Sequence, residues 1–240
     1  MNPSGASAVG DDLGHGNPAQ GEVRTDRRDV VAREKAGALL RQAKISVESY
    51  PDRFADLGGL DQLKEYTLRT ASSPLSRGIL LLGVSGTGKS SFARALANEL
   101  GIPALSLDFG RMMSSLVGSS EATIREALKA VDAMGRCVLF LDELEKGLAG
   151  VQSSGQLDSG VKAGVGGHFL KWLSDRQPGR AYVVATSNDI SKLPPEYVGS
   201  QRWNAVFFLD LPNSKEKAAI WAIWAKRLLG LLPEDLAKVR

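Results

Sequence analysis

The chain has 240 residues, 30 basic and 27 acidic, of which 43% are hydrophobic and 6% aromatic. That suffices for one main domain with a good-sized core, and a formal charge of +3 with a pI near 9.0 is too slight an excess to mark a nucleic-acid footprint. No apolar run approaches the ~18 residues of a bilayer span, and no signal-type hydrophobic core opens the chain; the single cysteine, Cys137, in an apolar run, excludes a disulfide framework and fits a reducing cytoplasm.

In chain order, residues 1–29 are rich in Gly, Asp, Asn, Pro and Ser without a periodic apolar face, so they read as a disordered tail. Residues 30–50 read as a leading helix and linker: Val30 to Lys44 has helical spacing, and Tyr50-Pro51 ends it. From 51 to 213, short continuously apolar runs alternate with amphipathic ones. Strands are expected over 78–82, 103–107, 137–141, 181–186 and 205–210, and helices over 91–100, 121–133, 167–175 and 214–229. Runs apolar on both faces suit parallel strands covered on both sides, so the fold expected is α/β, a five-stranded parallel sheet flanked by helices. Ligands of such sheets sit at the carboxyl ends of the strands. The stretch Gly147 to Gly167 reads as a long Gly/Ser loop, functional or disordered.

Gly83, Val84, Ser85, Gly86, Thr87, Gly88, Lys89 and Ser90 fit G-x-x-x-x-G-K-[ST] between a strand and a helix. The glycines let backbone N–H groups point at phosphate oxygens, Lys89 reaches the outer phosphates, and the Ser90 hydroxyl is a ligand for Mg²⁺. The strand 137–141 delivers Asp142, a second anchor for Mg²⁺, and Glu143, placed to polarise a water for attack on a γ-phosphate. A solvated strand end is the plainer alternative for that pair. The strand 181–186 leads to Asn188, which reaches the γ-phosphate if this strand lies between the other two; a turn-capping Asn is the alternative. No N-K-x-D guanine-reading pattern occurs, which favours ATP.

The ordered segments DRFADLGGLDQLK, GVSGTGKS, SLVGSSEATIREAL, VLFLDE, ATSNDISKLPPE and QRWNAVFFLDLP resemble the AAA+ ATPases, a branch of the P-loop NTPases. Within them the chain resembles the AAA clade, and above all the AAA ATPases encoded in plastid and cyanobacterial genomes. The resemblance runs from about Phe54 to about Leu229. It implies that Gly83 to Ser90 is the Walker A loop, that Asp142 and Glu143 are the Walker B pair, and that Asn188 is the sensor coupling the γ-phosphate to movement. Asp56 and Gly58 would line the adenine pocket, largely through backbone. Arg202 would be an arginine finger acting in trans within a hexameric ring; a solvated turn residue beside a core-filling Trp203 is the alternative. Leu116, Val117 and Gly118 align with a pore loop that grips a threaded protein client, with Leu116 where an aromatic is usual. Gly199 stands where relatives often place a second arginine. Residues 214–240 would be the beginning of the family's helical lid, incomplete in this chain.

Two functions follow from the resemblance. One is an oligomeric Mg-ATPase that remodels a protein partner. The other is a nucleotide-gated assembly factor with negligible turnover, favoured by the incomplete lid and by Leu116. No H-E-x-x-H accompanies His15 or His168, no basic stripe argues for nucleic acid, and the Ile220, Trp221, Ile223 and Trp224 cluster is read as packing rather than as a membrane surface.

Overall fold

The computed structural model describes residues 37, 38, 40, 45–48, 51–108, 120–148, 157–199 and 201–229. The tail 1–29, most of the leading helix, the pore-loop triplet Leu116, Val117 and Gly118, and the residues after 229 lie outside them. Six strands, β1 (Ser46–Glu48), β2 (Gly78–Leu82), β3 (Ala104–Leu107), β4 (Cys137–Leu141), β5 (Ala181–Ser187) and β6 (Ala205–Phe208), form one sheet in the order β1-β3-β4-β5-β2-β6. The five expected strands are β2 to β6 and pair in parallel. The sixth, β1, adds antiparallel to β3; three residues with two exposed give no readable period.

Helices α1 (Asp61–Ala71), α2 (Lys89–Leu100), α3 (Ser120–Met134), α4 (Leu144–Leu148), α5 (Leu157–Asp175) and α6 (Ser214–Leu229) surround the sheet. Every residue of β2, β4 and β5 is buried, as strands covered on both faces require. Alternation along them splits the core in two. On one face Leu80, Leu82, Leu139 and Val183 pack with Ile124, Leu128 and Phe169; on the other Ile79, Leu81, Phe140 and Val184 pack with Leu63, Phe92 and Leu96.

One expectation is corrected. The stretch 147–167 is not a single loop, because α4 runs to Leu148 and α5 begins at Leu157, ten residues before the helix expected from Gly167. The glycines disguise a helix held by tertiary packing, which overrides propensity. Val165, Phe169, Trp172 and Leu173 are buried along it, and Tyr197 Oη donates to Gly166 O at 2.9 Å. Among the described residues no helix is long and apolar enough to cross a membrane.

Candidate nucleotide-binding site

β2 ends at Leu82, and the chain turns between the carboxyl ends of β5 and β6: Gly83 N–H donates to Ser187 O at 3.2 Å and Leu209 N–H to Leu82 O at 2.7 Å. Gly83 has φ +141, and a Cβ there would lie 2.1 Å from Leu209 O, so no side chain fits the first position of the loop. Lys89 opens α2 and is 6% exposed. Its Nζ donates to Gly83 O and Val84 O, each at 2.7 Å, curling the ammonium back under the loop. Burial pushes its pKa below the ordinary lysine value, against the opposing pull of Glu145, Asp142 and Glu143. Thr87 Oγ1 donates to Val84 O at 3.0 Å, while Val84, Ser85 and Gly86 are exposed to solvent.

β5 does lie between β4 and β2, so the ends of all three strands converge. Ser90 Oγ donates at 3.3 Å to both carboxylate oxygens of Asp142. The Thr186 hydroxyl donates to Asp142 Oδ1 at 2.5 Å and accepts from Glu143 N–H at 3.0 Å. It thereby fixes the carboxylate and the backbone of the next residue together. A hydroxyl and a carboxylate side by side are the hard oxygen donors that Mg²⁺ takes from a protein when substrate phosphates supply other ligands.

Glu143 adopts φ +50, one of two non-glycine residues with positive φ among those described. Such a conformation persists only where neighbours enforce it. The neighbours here are Asn188, whose Nδ2 donates to Glu143 Oε1 at 3.3 Å, and Lys146, whose Nζ stands 2.7 Å from Oε2. Glu145, 4% exposed, accepts Asn188 N–H through Oε1 at 3.1 Å, and its Oε2 is buried without a hydrogen-bond partner.

Beside Gly86, Thr87 and Gly88 opens a cleft of about 330 Å³, bounded by Asp56, Leu57 and Gly58 on one side and by Ile220 and Trp224 of α6 on the other. Gly58 is dictated by close approach: a Cβ there would lie 2.6 Å from Ile220 N. The Asp56 side chain is engaged, accepting Arg53 N–H at 2.8 Å and meeting Arg227 at 2.8 Å. These two partners, the Arg53 amide first, hold its carboxyl below the usual carboxylate range.

Arg202 is apart from this assembly. Asn204, two residues on, accepts Arg77 N–H and Gly78 N–H and donates its own amide to Gly78 O, which places the segment at the amino end of β2. The five residues of β2, at roughly 3.3 Å each, separate it from the loop 83–88 of the same chain. Arg202 Nε is buried without a hydrogen-bond partner, and Trp203, 3% exposed, donates to Tyr197 O at 2.6 Å.

Thr186, Glu145, Lys146 and Arg227 escaped the sequence reading. Thr186 had a weak signal, a hydroxyl two residues before Asn188 at a buried strand end. Ile220 and Trp224, read as packing, are one helical turn apart and both border the cleft.

The family model "ATPase family associated with various cellular activities (AAA)" matches residues 79–211. The chain is 34% identical over 217 residues to the AAA domain-containing protein ycf46 of Guillardia theta, covering 86% of this chain and 42% of that protein. It is 36% identical over 204 residues to ycf46 of Pyropia yezoensis, covering 81% and 41%. Cell division control protein 48 homolog C of Arabidopsis thaliana is 29% identical over 205 residues, covering 78% and 25%. The chain thus spans about two fifths of the length of the ycf46 proteins it matches.

Proposed function

The chain belongs to the AAA family of ATPases, and on that premise we propose that it binds ATP with Mg²⁺, hydrolyses the β–γ phosphoanhydride, and uses the resulting movement to remodel a protein partner as a ring oligomer. The observation that carries this reading is the convergence of Ser90, Asp142, Thr186, Glu143 and Asn188 at three neighbouring strand ends next to the Lys89 loop.

The loop amides and Lys89 would hold the β- and γ-phosphates, with Lys89 exchanging its two carbonyl partners for phosphate oxygens. Mg²⁺, when bound by Ser90 and Asp142, would spread the negative charge of the phosphates. Asn188 would orient the attacking water, and Glu143 would take its proton as the oxygen bonds to the γ-phosphorus and the bond to the bridging oxygen breaks. Asp56 and Gly58 would border the base. Arg202, held away from its own loop by the length of β2, would serve a neighbouring subunit, which is why a ring is part of the proposal. The thiol of Cys137, its pKa pushed up to about 12 by burial, stays protonated and unreactive; the compartment we propose for the chain is the cytoplasm.

A second reading, a nucleotide-gated assembly factor with negligible turnover, is favoured by one observation: both carboxylate oxygens of Glu143 are already engaged, by Asn188 and Lys146. Calorimetric titration of Mg-ATP into the chain tests what the two readings share. Binding by the wild type and its loss in Lys89→Ala are expected; equal affinity in both proteins would remove the phosphate-loop assignment.

A further inference from the structure

Arg227, in the last turn of α6, reaches two carboxylates of the segment that leads into the domain: Asp52 Oδ1 at 3.0 Å and Asp56 Oδ1 at 2.8 Å. Its guanidinium carbon also stands 5.9 Å from the centre of the Trp224 ring, one turn earlier on the same helix, within reach of a cation–π attraction. Asp52, Asp56, Trp224 and Arg227 all border the cleft beside Gly86 to Gly88. The two walls of that cleft are therefore tied together at two places. At one, Gly58 lies against Ile220 with no room for a Cβ, a contact of backbone and apolar side chain that salt does not weaken. The other is the set of Arg227 ion pairs, with side chains 38%, 37% and 35% exposed, which water and salt reach and loosen.

Exposed ion pairs add little to the stability of a fold, so fold stability alone does not account for three charges gathered at this rim, on a helix of whose described side chains only Ala225 is buried. A base seated between the 56–58 segment and Trp224 leaves when α6 swings from that segment, and the ion pairs oppose that movement. We propose that Arg227 is a latch on the base side of the cleft: its pairs with Asp52 and Asp56 retain bound nucleotide, and their opening sets the rate at which the diphosphate product leaves. Arg227 is in this account a positioning residue. The proposal rests on the nucleotide-binding reading above. Slow, gated product release is a common limit on turnover, and here the gate would respond to ionic strength.

The test uses the full 240-residue chain loaded with N-methylanthraniloyl-ADP and chased with excess ADP, release being followed by fluorescence over a series of KCl concentrations. Arg227→Ala is expected to release roughly three- to tenfold faster than wild type, with Arg227→Lys in between and Asp52→Asn showing part of the effect. Release should quicken as KCl rises in both proteins, because salt also weakens the phosphate contacts of Lys89, but Arg227→Ala should already be fast at low salt and show the shallower slope, a difference that a purely structural role would not produce. Should Arg227→Ala fail to fold, Arg227→Lys and Asp52→Asn, each compared with wild type over the same salt series, carry the test. Equal release rates in wild type and variants, or equal salt slopes, would overturn the latch alone. A wild-type chain that binds no fluorescent diphosphate would overturn the nucleotide reading and the latch together.

Discussion

Lys146 Nζ stands 2.7 Å from Glu143 Oε2 while Asn188 Nδ2 donates to Oε1 at 3.3 Å, so each oxygen of the proposed base already has one partner drawing on its charge. Lys146, three residues on, is 63% exposed, so solvent screens its attraction. Replacing it with Met should free Glu143 and raise the hydrolysis rate about two- to fivefold with ATP affinity unchanged. Single-turnover hydrolysis beside calorimetric binding checks this. A fall in rate would instead make Lys146 the residue that holds Glu143 in place.

Thr186 serves two groups through one hydroxyl and is 1% exposed. Thr186→Val keeps the shape but strips Asp142 of its 2.5 Å donor and leaves Glu143 N–H without its acceptor. A loss of about 1–3 kcal/mol of stability is expected, with more Mg²⁺ needed to support nucleotide binding. Urea unfolding and a Mg²⁺ titration measure the two effects separately; a variant that matches wild type in both would remove Thr186 from the site.

Gly83→Ala faces a carbonyl and an unfavourable φ together. A Cβ 2.1 Å from Leu209 O must push β6 from the loop, and a cost above about 4 kcal/mol is expected, within the severe class of substitutions. The readout is the melting temperature or, failing that, soluble yield. A variant that melts with wild type would show that the loop is not held against β6.

How much of this was legible depends on where the signal lay. β2, β4 and β5 were readable because strands buried on both faces are continuously apolar, and the turn after β2 because glycines meet the positive φ of Gly83, Gly86 and Gly88. β1 was silent for want of length, and α5 was hidden by Gly160, Gly164, Gly166 and Gly167, whose low propensity is overruled by the packing of Val165 and Phe169. At the site, Asp142, Glu143 and Asn188 follow apolar runs and announce themselves. Thr186 and Arg227 do not, because their partners, Asp142 and Asp52, lie 44 and 175 residues away in sequence.

Asp132 offers a pH test away from the site. Burial holds its carboxyl above the usual carboxylate range, although the Trp172 N–H, at 3.1 Å from both oxygens, and then Arg176 and Arg180 pull it down. The native chain therefore binds more protons than the unfolded chain between 3.8 and the folded value, so stability falls as pH rises through that window. Asp132→Asn keeps an acceptor for Trp172 and has no charge to bury. It should melt higher than wild type near about pH 7 and lose that advantage below the unfolded carboxylate value. A lower melting temperature for the variant near neutrality would contradict the assignment.

The proposed spending of ATP with help from a neighbouring subunit is read out by steady-state ATP hydrolysis across protein concentration, with Glu143→Gln and Arg202→Ala alongside. Activity per chain should rise steeply with concentration and vanish in both variants, while Glu143→Gln still binds ATP. Activity per chain that is constant with concentration and survives Arg202→Ala would contradict the trans-acting arginine, and hydrolysis that persists in Glu143→Gln would contradict the mechanism itself.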